Sequence, residues 1–119
     1  MTVLVIDDDD NVRDSLVAGL TLDQFDVQEA RSGTEGLALI TADFPSVLVV
    51  DFAMPNMNGA DVARAAQKIR PDLPVLMVTG YSDTAALDGV ANAQILRKPF
   101  QLAELSKQIV ALSTGEITK

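Results

Sequence analysis

Short, unbroken runs of apolar residues alternate along this chain with stretches whose apolar residues recur every three or four positions. Few folds accept that alternation. Val3-Leu4-Val5-Ile6 and Val47-Leu48-Val49-Val50 are β-branched runs, and Pro74-Val75-Leu76-Met77-Val78 is nearly one. Runs this short suit strands buried on both faces. Phe25-Asp26-Val27-Gln28-Glu29-Ala30 alternates more, as an edge strand does, and Ile95-Leu96 is the weakest strand signal. Between them, Val12, Leu16, Val17 and Leu20 share a helical face, Leu37 and Ile40 mark a second helix, and Ala63, Ala66 and Ile69 a third. Leu102, Leu105, Ile109 and Leu112 form a final stripe. Gly33 precedes the second helix, Asn58 is placed to cap the third, and Pro71 and Pro74 bracket its exit. Strands alternating with helices predict an α/β fold, a parallel sheet covered on both faces and joined by right-handed crossovers.

The fourth helix of this scheme must fit, with a loop and a strand, between Thr79 and Lys98. Asp83 and Gly89 are its natural limits, which leaves under two turns. The expectation is a short or mobile helix whose amides exchange faster than those of the final helix. Residues 113–119 read as a frayed tail. With 119 residues and no linker or repeat, positions 1–119 form one domain.

Composition removes several chemistries. The chain has no Cys and no His, which excludes thiol chemistry, His ligation and a Ser-His-Asp triad. A net charge of -8 disfavours nucleic acid and anionic lipid and favours cations and basic partner surfaces. No apolar run approaches the ~20 residues of a membrane span, and the N-terminus lacks the pattern of a signal peptide. Neither phosphate-binding glycine pattern, G-x-x-x-x-G-K-[ST] or G-x-G-x-x-G, is present. An EF-hand loop from Asp7 would need Gly and Glu where Val12 and Ala18 stand. A D-x-D-x-[TV] phosphatase motif would need Thr or Val at Asn11.

The acids carry the positive signal. Open parallel sheets bind ligands beyond the carboxyl ends of their strands, where strand order reverses. Asp7 and Asp8 follow the first strand run, Asp51 the third, Thr79 the fourth and Lys98 the fifth. For a strand order 2-1-3-4-5 the three acids converge between strands one and three, with Thr79 and Lys98 alongside. Carboxylates ~4 Å apart repel by about 4 kcal/mol at an effective dielectric near 20. A proton or a hard divalent cation relieves this, and Mg²⁺ suits oxygen ligands where phosphate is handled. Asp51 would then be the nucleophile of a phosphoryl transfer. Asp9 and Asp10 read instead as the start of the first helix.

Four segments carry a specific resemblance. Val3-Leu4-Val5-Ile6-Asp7-Asp8-Asp9 resembles the opening of response-regulator receivers, and Asp51-Phe52-Ala53-Met54-Pro55-Asn56-Met57-Asn58-Gly59 is similar to their phosphorylation loop, D-x-x-M-P-x-M-x-G. Val78-Thr79-Gly80 resembles their switch-threonine region and Lys98-Pro99-Phe100 their lysine turn. The resemblance spans essentially the whole chain. It implies a flavodoxin-like receiver fold: a doubly wound five-stranded parallel sheet, order 2-1-3-4-5, with five helices, the fourth short. It implies that Asp51 accepts phosphate from a histidine kinase or a histidine phosphotransfer protein. Asp8 would ligate Mg²⁺ directly, Asp7 mainly through water, and Asp51 and the backbone carbonyl of Ala53 would complete the metal set. Thr79 and Lys98 would engage the phosphoryl oxygens, and the Lys98-Pro99 bond is often cis in such proteins. The chain would be a cytoplasmic signalling switch that catalyses only its own phosphorylation and dephosphorylation. The wider sequence looks most like receivers of hybrid histidine kinases or stand-alone ones. The family often has an aromatic three residues before the lysine, where this chain has Ile95. Ala53 and Tyr81 occupy the positions that tune access of hydrolytic water. The alternative reading is a degenerate receiver that binds a protein partner without phosphotransfer.

Overall fold

The apolar runs form one parallel sheet. A computed structural model of the chain describes residues 1–80 and 89–114. Its strands are β1 (Thr2–Ile6), β2 (Asp26–Ala30), β3 (Val47–Asp51), β4 (Val75–Thr79) and β5 (Ala93–Arg97), all paired in parallel in the order β2-β1-β3-β4-β5. The described helices are α1 (Asp10–Leu22), α2 (Gly33–Ala42), α3 (Gly59–Ile69) and α4 (Leu102–Thr114). The short helix expected between Thr79 and Lys98, like Tyr81, falls on residues 81–88 and lies outside the described residues. Four helices, not five, are therefore seen among the described residues.

Period-2 alternation within each strand divides the core into two layers. Leu4, Ile6, Leu48, Val50, Val75 and Met77 face one side and pack with Ile40 of α2 and Ala60, Val62, Ala63 and Ala66 of α3. Val3, Val5, Val47, Val49, Leu76 and Val78 face the other and pack with Leu16 and Leu20 of α1 and Leu105, Ile109 and Leu112 of α4. Every residue of β3 and β4 is buried, which is why those runs lack polar interruptions. β2 and β5 are the edges and are half-exposed. β5 is longer than Ile95-Leu96 alone suggests. Pairing with β4 from Val75↔Ala93 to Thr79↔Arg97 satisfies its backbone despite a weak apolar pattern. Ile95 is half-buried against the α3-side core.

Local capping follows the polar residues at the helix starts. Asp9 caps α1, accepting from the N–H groups of Asn11 and Val12. Asn58 and Asp61 form a reciprocal capping box at α3. Ser32 caps α2, so Gly33 is the first helical residue rather than a preceding breaker. α4 runs through Ser113 and Thr114, whose hydroxyls both donate to the carbonyl of Val110, so the helix extends past the expected start of the tail.

Gly59 sits where α3 starts against the end of β3. Its N–H donates to the carbonyl of Phe52 at 2.9 Å. A Cβ there would lie 2.7 Å from the Asp51 carbonyl oxygen, 2.9 Å from Phe52 Cα and 2.6 Å from Met77 Sδ. Alanine gains up to about 1 kcal/mol over glycine in helix propensity, but the clash is with rigid backbone. Gly59→Ala is therefore expected to destabilise the domain by about 1–3 kcal/mol in urea titrations. An unchanged or raised midpoint would show that the backbone contact does not constrain position 59.

Candidate phosphoryl-transfer site

Four polar or charged residues are buried among the described residues: Asp7, Arg13, Asp51 and Thr79. Three of them are strand-end residues expected at the site. The register Ile6↔Val50 sets the next residues, Asp7 and Asp51, side by side at the carboxyl ends of β1 and β3. Phe52 N–H donates to the Val78 carbonyl at 2.8 Å, and Lys98 N–H to the Thr79 carbonyl at 2.9 Å, so the hydrogen-bond ladders run up to the rim of the site. Asp7 is 2% exposed and its carboxylate accepts from Asp9 N–H at 2.9 Å. Asp8 is exposed. Lys98, just past β5, donates from Nζ to Asp51 Oδ1 at 3.0 Å, and its Lys98-Pro99 peptide bond is cis. Thr79 ends β4, with 1% exposure. Ala53 lies in the exposed turn two residues beyond Asp51.

Carboxylate oxygens of Asp7, Asp8 and Asp51 lie within 4.8 Å of one another. Burial pushes the Asp51 pKa up. The Lys98 hydrogen bond and charge oppose this, while Asp8 and Asp9 reinforce it, and the net direction is upward. Asp7 is also raised, first by burial; the Asp9 N–H and Lys98 pull it down, and Asp51 and Asp8 push it further up. For Lys98, burial works against the ammonium, but the hydrogen bond and charge of Asp51, with Asp7 and Asp9, outweigh it and hold the pKa above its ordinary value. One ammonium thus faces three acids. All-oxygen donors, an excess of negative charge and two acids held above their usual range fit a hard divalent cation such as Mg²⁺.

The profile of the response regulator receiver domain matches residues 3–110. This chain belongs to that family. The receiver is 39% identical over 116 residues to the response regulator MprA of Mycobacterium avium (strain 104), a match covering 94% of this chain and 50% of that protein. It therefore spans about half the length of the curated relatives it matches. Among solved structures, it resembles a response regulator receiver domain protein (CheY-like) from Methanospirillum hungatei JF-1, with a TM-score of 0.88, 29% identity, and coverage of 97% and 94% of the two chains. A receiver domain protein from Clostridium thermocellum gives a TM-score of 0.86 at 31% identity, covering 97% and 95%. The expected fold, with strand order 2-1-3-4-5, is that of these receivers. No described helix is long and apolar enough to cross a membrane.

The strand-end acids come together as the sequence leads one to expect: Asp7, Asp8 and Asp51 form one cluster, and Lys98 bonds Asp51. Arg13 was not singled out by motif. Its signal was its place on the inward stripe of α1, three and seven residues before Leu16 and Leu20, where an apolar residue is the norm.

The raised acids give the metal-free receiver a definite pH dependence. A folded-state pKa above the unfolded value contributes stability that is full below about pH 3.9 and is lost as pH rises through the folded value. At pH 7 an ionised Asp7 therefore carries its burial and repulsion. Asp7→Asn, which keeps an oxygen to accept from Asp9 N–H, is expected to unfold a few degrees higher than the parent chain in chelator at pH 7. Roughly 4 °C corresponds to 1 kcal/mol at this size. The difference should shrink towards pH 4. Thermal unfolding across that range checks it, and a variant less stable at pH 7 would reverse the assigned sign.

Proposed function

We propose that this receiver takes a phosphoryl group onto Asp51 from a phosphohistidine of a histidine kinase or histidine phosphotransfer protein, with Mg²⁺ held by Asp7, Asp8, Asp51 and the Ala53 carbonyl. The observation that carries the reading is the convergence of three carboxylates with one lysine already bonded to the acceptor acid. When bound, the cation would neutralise the acids and the phosphoryl oxygens that approach them.

The chain's own residues do the rest. An Asp51 oxygen attacks phosphorus as the P–N bond to the donor imidazole breaks, and the imidazole leaves with a proton from solvent. Lys98 orients the Asp51 carboxylate beforehand and meets the added negative charge afterwards. The Thr79 hydroxyl donates to a phosphoryl oxygen. That contact biases an existing inactive/active equilibrium read out through the surface of β5 and α4, which is how the modification becomes a signal. Water later attacks phosphorus, releasing inorganic phosphate and restoring the carboxylate. The receiver is thus a cytoplasmic switch that turns over only its own modification.

Incubation with a small phosphodonor such as acetyl phosphate and Mg²⁺ is expected to add one phosphoryl group per chain by intact mass. Chelator or Asp51→Asn should abolish it, and Lys98→Ala should slow it by about 10²-fold. Absence of labelling in the parent chain would favour a constitutive binding module, and repeated turnover of free phosphoester would favour a hydrolase.

A further inference from the structure

Arg13 is the one buried charged residue described that the phosphoryl chemistry above does not use, with 8% exposure. Its guanidinium makes three bonds in three directions. Nη1 donates to the Asp7 main-chain carbonyl at 2.8 Å, Nη2 to Asp10 Oδ1 at 2.6 Å, and Nε to Glu29 Oε1 at 3.0 Å. Those acceptors belong to the end of β1, the first turn of α1 and the neighbouring strand β2. Only a planar fork with donors on separate edges reaches all three at once; an ammonium cannot.

These bonds bracket the acid loop. Asp7 N–H donates to the Ala30 carbonyl at 3.2 Å and the Asp7 carbonyl accepts from Arg13, so the backbone at Asp7 is tied on both sides. Asp9 N–H is tied to the Asp7 carboxylate, and the Asp9 carbonyl accepts from Arg13 N–H at 2.9 Å. Asp8 lies between these anchors. Repulsion among Asp7, Asp8 and Asp51 pushes the loop away from β3, and the anchors oppose that push. Because Asp10 and Glu29 already neutralise the guanidinium, its part is geometric more than electrostatic.

We propose that Arg13 is a positioning residue that holds Asp7 and Asp8 in cation-binding geometry through the Asp7 main chain. This rests on the proposed Mg²⁺ site, since the bound ion is what the geometry serves. Groups that orient metal ligands from behind typically contribute 10–100-fold in affinity.

The test uses the full chain, calorimetric Mg²⁺ titration, and amide exchange at Asp9 without metal. Arg13→Met keeps an apolar stem but no donors. It should weaken Mg²⁺ binding about 10-fold or more and speed Asp9 exchange, and Arg13→Lys should fall between it and the parent. Leu112→Ala, which loosens the distant end of the α4 core, should bind Mg²⁺ as the parent does, separating positioning from general stability. If Arg13→Met unfolds, Arg13→Lys alone decides, through several-fold weaker binding and faster Asp9 exchange. Parental affinity and exchange in the folded variants would overturn the inference. If the parent binds no Mg²⁺, or Asp8→Asn binds it equally well, the metal-site reading fails instead, and Asp9 exchange still decides whether Arg13 holds the loop.

Discussion

Mutual repulsion of carboxylates at one end of the sheet is the constraint around which the receiver is organised. Two neighbouring strands, β1 and β3, end in adjacent acids, with Asp8 beside them. Nothing local favours that arrangement. It persists because Asp7 follows, and Asp51 ends, a strand whose apolar residues are all buried, and the pairing of those strands leaves no freedom to separate. Lys98 reaches Asp51 from across β4 and offsets part of the charge. The excess negative charge that is left fits a hard cation.

Stability and ionisation are therefore opposed at this site. The pKa values of Asp7 and Asp51 are raised chiefly by burial, so ionising them at neutral pH works against the fold. The compensating contacts lie around the pocket. The capping box of Asn58 and Asp61 starts α3 after the loop that follows Asp51, Gly59 lets that helix touch the Asp51 backbone, and Arg13 ties the β1–α1 loop to β2. Each contact helps hold the repelling acids in one geometry.

Much of this was legible in the chain itself. Unbroken apolar runs located β1, β3 and β4, which are buried on both faces, and apolar periodicity located the four described helices, each of which buries one face. The strand-end acids, Thr79 and Lys98 were identifiable because the motifs around them resemble those of receivers and the positions follow apolar runs. Less legible were features whose cause is a neighbour distant in sequence. β5 runs from Ala93 to Arg97 because β4 offers it hydrogen bonds, not because its own residues insist on a strand. Arg13 looks like an ordinary polar residue on α1 until Asp7, Asp10 and Glu29 surround it. Gly33 opens α2 rather than preceding it because Ser32 is the cap, which depends on a single hydroxyl reaching the N–H of Glu35.

By itself, the order of residues determined the fold class and which side chains stand at the carboxyl ends of the strands, because burial periodicity and strand termination are local properties. Tertiary structure alone decided that Asp7, Asp8 and Asp51 share one small space, that Lys98 bonds Asp51, and that Arg13 grips the Asp7 carbonyl. Those facts depend on strand order and register, which bring Lys98 onto Asp51, 47 residues away in sequence. Charge, burial and distance act through space, so the charged cluster exists only once the sheet is assembled.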